Sequence, residues 1–238
     1  MKKVIIIGAS SGIGKELALL YLKAGHSVGI TGRRKVLLEE IHQQYPSQTF
    51  IEVFDVTGHN NIQHLESLIS KLGGMDLFLY NSGYADASKH LNWEMDKATT
   101  LINVNGFVEM TNYAFNYFVQ QGYGQIAGMS SIASYRGNSW APAYSASKAY
   151  MSNYLEAISI KAYRLKKKIA VTDIQPGFVK TDMAKGNKLF WIAPLEKATK
   201  QIYHAIEKKK RRVQITKRWA IAAWFLKWLP FSLYKKIG

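Results

Sequence analysis

The sequence predicts an α/β fold: one doubly wound parallel β-sheet with helices on both faces. Two observations predict it. Short apolar runs alternate with longer helical stretches along the chain, and the first run, Val4-Ile5-Ile6-Ile7, passes through a glycine-rich turn straight into Lys15-Glu16-Leu17-Ala18-Leu19-Leu20-Tyr21-Leu22. An apolar run without polar alternation suits a strand buried on both faces, which is the situation in a parallel sheet.

The elements follow in order. The second strand lies within His26-Ser27-Val28-Gly29-Ile30-Thr31-Gly32-Arg33-Arg34, and further apolar runs occupy 48–53, 75–80, 124–130 and 168–175. Between them, 58–72 and 144–167 read as helices, completing a βαβ rhythm. At 238 residues the chain is one domain of ordinary size with room for a real core. No linker or repeat divides residues 1–216, whereas 217–238 stands apart as a basic, tryptophan-rich segment.

The turn after the first strand carries Gly8, Gly12 and Gly14. Strand, glycine turn and helix make a phosphate cradle: glycines let the backbone approach a pyrophosphate, and the free amides at the helix start attract its charge. The spacing departs from the G-x-G-x-x-G fingerprint, and a glycine turn with purely structural duties has the same appearance.

Further along, Tyr144-Ser-Ala-Ser-Lys148 places a phenol and an ammonium four residues apart, on one helix face, with Ser131 thirteen positions earlier. A cation beside a tyrosine favours its ionised form and brings it toward working pH as a proton donor. By itself the pair also describes an ordinary amphipathic helix.

Together with Asp55-Val56, Asn81-Ser82-Gly83, Asn103-Val104-Asn105-Gly106 and Pro176-Gly177-Phe178-Val179-Lys180-Thr181, these motifs resemble, in order and approximate spacing, those of the short-chain dehydrogenase/reductase family. The resemblance covers residues 4 to about 182. Two positions depart from it: Ile7 stands where many members have threonine, and Tyr80-Asn81-Ser82-Gly83 where many have Asn-Asn-Ala-Gly.

The resemblance implies a Rossmann-type fold and a carbonyl–alcohol oxidoreductase. In it Tyr144 is general acid and base, Lys148 holds the nicotinamide ribose and lowers the tyrosine pKa, Ser131 bonds the substrate oxygen, and Asn103 supports a proton relay. It further implies cofactor contacts from Gly8, Ser10, Ser11, Gly12, Ile13 and Gly14 in the turn. Asp55 and Val56 fall near adenine, Asn81 and Gly83 near the adenosine ribose, and Val179 and Thr181 near the carboxamide, with Pro176 and Gly177 also among the cofactor contacts. A non-catalytic dinucleotide-binding sensor or scaffold remains the alternative, since a fold and cofactor site serve either purpose. No metal site is expected.

At the end of the second strand there is no carboxylate until Glu39, while Arg33 offers a planar guanidinium, which favours NADP(H) over NAD(H). The aromatic content of 183–194, with Leu189, Phe190 and Trp191, and of Tyr135 and Trp140 suggests a hydrophobic ketone or aldehyde as substrate.

Charge is unevenly distributed. Residues 1–160 hold 12 basic and 12 acidic side chains, and 161–238 hold 20 and 4, so the whole net charge of +16 sits in the last third. The runs Lys166-Lys167-Lys168 and Lys208-Lys209-Lys210-Arg211-Arg212 read as solvated helix ends. The stretch from Trp219 to Leu229 is apolar almost all round apart from Lys227, and too short to span a bilayer. Its cover is the substrate cleft, a partner subunit or an anionic membrane surface. No nucleic-acid module is legible in the basic segment. The chain has no cysteine, and its first apolar run enters the glycine turn as a strand, not as a signal peptide. The expected location is cytoplasmic or peripheral at a membrane, and the resemblance implies a homodimer or homotetramer.

Overall fold

The computed structural model describes residues 1–182 and 190–236. Seven parallel strands, β1 (Lys3–Ile7), β2 (Ser27–Gly32), β3 (Thr49–Val53), β4 (Leu77–Tyr80), β5 (Tyr123–Met129), β6 (Lys168–Pro176) and β7 (Arg212–Ile215), form one sheet in the order β3-β2-β1-β4-β5-β6-β7. Between strands run α1 (Gly12–Lys23), α2 (Lys35–Gln44), α3 (Asn61–Leu72), α4 (Trp93–Thr100), α5 (Phe107–Gln121), α6 (Pro142–Arg164) and α7 (Leu195–Glu207). After β7 come α8 (Lys217–Trp228) and the single turn α9 (Phe231–Tyr234).

The strand pattern explains the two cores. Val4 and Ile6 of β1, with Leu77 and Leu79 of β4, face a layer that includes Leu17 and Tyr21 of α1 and Ile202 and Ile206 of α7. Ile5 and Ile7, with Phe78 and Tyr80, face the opposite layer of Leu65 and Leu68 from α3, Phe107 and Phe118 from α5 and Leu155 from α6. Because successive strand residues point to opposite faces, a strand sandwiched between two helix layers must be apolar at every position.

From β1 the chain winds outward through β2 to β3 and then returns to place β4 on the other side of β1. That reversal opens a crevice beyond the carboxyl ends of β1 and β4, the usual ligand position in such sheets.

The expected strands are present with boundaries shifted by one or two residues, and two readings of the basic runs change. Only Lys208–Lys210 of the second run follow the end of a helix; Arg212 opens β7, where its guanidinium pairs with Asp173 at 3.1 Å and Glu156 at 3.0 Å. Likewise Lys168 begins β6 and is not a helix end. A short edge strand that starts in a run of cations carries no apolar periodicity, so charge alone concealed it.

Candidate active site

Every strand that bears a motif delivers it to the same edge of the sheet. At the end of β1, Gly8 adopts φ +86, and a side chain there would collide with Ser82. Asn81, at the end of β4, donates its amide to the Gly8 carbonyl at 2.6 Å, locking the two strand ends together across the crevice. A Cβ on Gly14 would overlap that same carbonyl, so the first turn of α1 can lie against the strand only as glycine. Ser11 is the N-cap of α1, and its side chain makes no capping bond. The first amides of the helix are therefore available to an anion. Ile13 is half-buried against the α1-side core. Thr181 closes the turn from the far side: a Cβ on Gly12 would lie 3.3 Å from its methyl group.

The arginines at the end of β2 divide their duties. Arg33, exposed, pairs with the half-buried Asp55 at 3.2 Å. Asp55 also accepts from the Thr57 amide at 3.0 Å and its hydroxyl at 2.9 Å; burial opposes its charge, but these bonds and Arg33 hold the carboxyl below its usual range. Arg34, which the sequence reading did not single out, turns toward the glycine loop. Its guanidinium donates to Ser10 Oγ at 3.0 Å and Ser11 Oγ at 2.5 Å. Its partners there are neutral hydroxyls, and among the described residues no carboxylate forms an ion pair with it. The signal for it was its adjacency to Arg33, and only the fold shows which of the two meets the loop.

On the other side of the crevice, the 3₁₀ turn Ile132–Tyr135 follows β5 and is capped by Ser131, whose hydroxyl accepts from the Ala133 amide at 3.1 Å and lies 3.3 Å from the Pro176 carbonyl. Pro142 starts α6 at its first turn, where a missing N–H costs nothing, and this brings Tyr144 to the site two residues later. Burial pushes the Tyr144 phenol up, and its hydrogen bond with Ser131 works against that. Burial lowers Lys148 to about 8 despite the attraction of Asp173; its Nζ donates to the Met129 carbonyl at 2.8 Å and lies 5.6 Å from the centre of the Tyr144 ring.

Asn103 sits in a π-helical turn, Leu101–Gly106, that joins α4 to α5. Such turns widen a helix by one residue, which here buries Asn103 and leaves Asn105 exposed. Its amide donates to the Tyr84 carbonyl and to Ser147 Oγ, both at 2.9 Å, and its oxygen accepts from the Tyr84 amide at 2.8 Å. It thereby braces the loop after β4 against α6, and a Cβ on Gly83 would lie 3.5 Å from Lys148 Nζ and 3.6 Å from Asn103 Oδ1. Gly106 is packed against the Val56 carbonyl.

Behind these residues is a buried network that no local pattern announces. Asp173 of β6 accepts from Ser130, from Ser152 at 2.7 Å, from Gln175 at 2.8 Å and from Arg212 at 3.1 Å. Its members come from the residue after β5 and from α6, β6 and β7, so only the assembled sheet joins them.

A cleft of about 220 Å³ opens beside Tyr144, lined on its apolar part by Leu91, Met95 and Trp140 and on its polar part by Asp86, Lys89 and His90. A wider groove of about 500 Å³ on α3 and α5 touches none of the motif residues. Of the expected substrate loop, 183–189 lie outside the described residues; Phe190 and Trp191 pack on Trp219. Tyr135 donates to Gln175 at 2.7 Å and is engaged in packing. Val179 is buried, and Gly177 lies flat under the Trp219 ring, where any Cβ would overlap the indole.

The fold has counterparts among solved structures. The NADP-bound structure of ElxO superposes with a TM-score of 0.81 at 19% identity, covering 93% of this chain and 100% of that one. The NADH complex of 3-ketoacyl-(acyl-carrier-protein) reductase from Brucella melitensis gives a TM-score of 0.79 at 18% identity, covering 90% and 96%. By sequence, the 3-oxoacyl-[acyl-carrier-protein] reductase FabG of Rickettsia prowazekii is 31% identical over 185 residues, 76% of this chain and 74% of that protein. The short chain dehydrogenase family model matches residues 2–189, a span that includes the glycine cradle, Ser131, Tyr144 and Lys148. The chain therefore belongs to the short-chain dehydrogenase family of oxidoreductases.

Proposed function

We propose that the chain is an NADP(H)-dependent reductase that interconverts a carbonyl and an alcohol, with a hydrophobic, lipid-like ketone or aldehyde as substrate. The observation that carries this reading is the convergence of Ser131, Tyr144, Lys148 and Asn103 opposite the glycine cradle. The bound nicotinamide would supply or accept the hydride. The chain's own groups do the rest: Tyr144 Oη hands its proton to the substrate oxygen as negative charge develops there, and the Ser131 hydroxyl, anchored by the Ala133 amide, would turn its proton from the Pro176 carbonyl to give that oxygen a second bond. Lys148 can release the Met129 carbonyl and turn its ammonium to ribose hydroxyls, which would bring its charge to the phenol and lower it. Asn103 holds the Tyr84 loop that forms the wall beside Lys148.

The cradle fits a dinucleotide, with free helix amides for the pyrophosphate and Arg34, seconded by Arg33, for a 2′-phosphate. Support for NADP(H) is the Arg34 guanidinium over the neutral hydroxyls of Ser10 and Ser11. Support for an apolar substrate is Leu91, Met95 and Trp140 in the cleft, with the polar residues suited to a polar end. A homo-oligomer would use the outer face of α6, where Tyr150, Ile160 and Tyr163 are exposed.

The test is NADPH oxidation by wild type and Tyr144→Phe over carbonyls graded from short polar to long-chain 3-oxo compounds. We expect turnover that rises with chain length and falls at least tenfold in the variant, while NADPH still binds. Turnover confined to small polar carbonyls would refute the substrate class. Tight NADPH binding without turnover on the whole panel would replace the reductase by the non-catalytic binder.

A further inference from the structure

The C-terminal helix leaves half of an apolar surface without a partner. On α8 the residues Trp219, Ala222, Ala223 and Leu226 recur at spacings of three and four and pack against Ile132, Tyr135 and Phe178. The same spacing repeats on the opposite side with Ile221, Trp224, Phe225 and Trp228, which are 60%, 61%, 60% and 68% exposed. Phe231 and Leu233 of α9, which follows directly, are exposed as well. A helix with one apolar face buried and a second, equally apolar face in water is not explained by folding, because scattered surface apolar residues are ordinary but a contiguous aromatic stripe is not.

The charge around the stripe selects its occupant. From Lys208 to the end of the chain there are ten Lys and Arg residues and no Asp or Glu. Lys217 and Arg218 flank the stripe at the start of α8, Lys227 lies with its Nζ 5.7 Å from the Trp228 ring, and Lys235 and Lys236 follow α9. A second copy docked face to face would bring these cations together with no carboxylate from the segment to offset them. An anionic bilayer surface matches both properties: indoles are at home at the headgroup level, and lysines and arginines pair with lipid phosphates. Among the described residues no helix is long and apolar enough to cross a membrane.

The end of the helix is tied to the body of the domain. Arg136 donates to the Leu229 carbonyl and lies 4.9 Å from the centre of the Tyr234 ring, and the Tyr234 hydroxyl donates to the Gly137 carbonyl at 2.6 Å. These bonds tie α8 and α9 to the loop that follows Ser131, so docking would set the crevice beside the headgroups. We infer that the exposed apolar residues of α8 and α9 dock the protein on the surface of anionic lipid bilayers, lying in the interface without crossing it.

The experiment is co-sedimentation of the full chain with sucrose-loaded vesicles, either pure phosphatidylcholine or 70:30 phosphatidylcholine:phosphatidylglycerol, in about 20 mM and about 500 mM salt. Between these salts the screening length falls from over 20 Å to a few ångströms. We expect binding to the anionic vesicles at low salt, at least tenfold weaker at high salt or without phosphatidylglycerol. The variant Trp224→Ser/Phe225→Ser/Trp228→Ser should bind at least tenfold more weakly while keeping the wild-type melting temperature, NADPH affinity and oligomeric mass. Failure to bind anionic vesicles at low salt, or equal binding by the variant, would overturn the inference. So would a wild-type self-association, measured by light scattering, that the variant abolishes along with no change in vesicle binding. Neither readout requires turnover, so the reductase reading stands or falls separately.

Discussion

Replacing Arg34 by alanine should separate the two dinucleotides. In the structure its guanidinium is exposed, donates to Ser10 Oγ at 3.0 Å and Ser11 Oγ at 2.5 Å, and faces the glycine loop, whereas Arg33 spends its charge on Asp55 at 3.2 Å. A 2′-phosphate placed there would gain a charge-assisted hydrogen bond, worth about 1.5–3 kcal/mol, or roughly 10- to 150-fold in Kd. Arg34→Ala should therefore weaken NADPH by that factor. NADH lacks the phosphate, and its Kd should change less than about threefold; losing an exposed contact to neutral hydroxyls costs within about 0.5 kcal/mol of stability. Arg33→Ala should weaken NADPH less than Arg34→Ala does, because an exposed ion pair is worth under about 1 kcal/mol and Asp55 keeps its bonds to Thr57. Titration calorimetry of both nucleotides against the three proteins reads these ratios directly. An Arg34→Ala protein that loses NADPH and NADH equally, or loses neither, would refute the assignment of this guanidinium to the 2′-phosphate.

Other expectations concern stability. Lys148 is held by burial at about 8, below its ordinary 10.5. Between those values the unfolded chain binds more protons than the folded one, so this group's contribution improves as pH rises through the window, and its penalty is complete below about pH 8. Lys148→Met should abolish turnover yet melt above wild type at pH 7, by up to about 3 kcal/mol, with the gap closing toward pH 10; a variant that melts below wild type at pH 7 would show that the Met129 bond outweighs burial. Trp219 is buried against Gly177, Phe178, Phe190 and Trp191, and Trp219→Ala should cost about 3–5 kcal/mol, lowering Tm by roughly 6–20 °C. A Tm within 2 °C of wild type in calorimetry would mean that α8 is not integral to the fold.

Much of this protein is decided by residues near one another in sequence. Val4 to Ile7 must lie between two layers because no position in the run tolerates water, and Gly8, Gly12 and Gly14 leave the backbone open between that strand and α1. The spacing of Tyr144 and Lys148 puts them on one helix face whatever surrounds them. Those local facts determined the fold class and the edge at which the chemistry gathers. Tertiary structure decided what depends on distant neighbours. It assigned Arg33 to Asp55 and Arg34 to the glycine loop, since which side of a strand end a side chain takes is set by the pleat and by what lies opposite. It raised Tyr144 and lowered Lys148, because desolvation is a property of the assembled crevice and not of the helix that carries them. It gathered Asp173, Ser130, Ser152 and Arg212 from four parts of the chain into one buried network. And it divided the uniformly apolar α8 into a face that its own domain covers and a face that it does not, a distinction absent from a composition in which both stripes look alike.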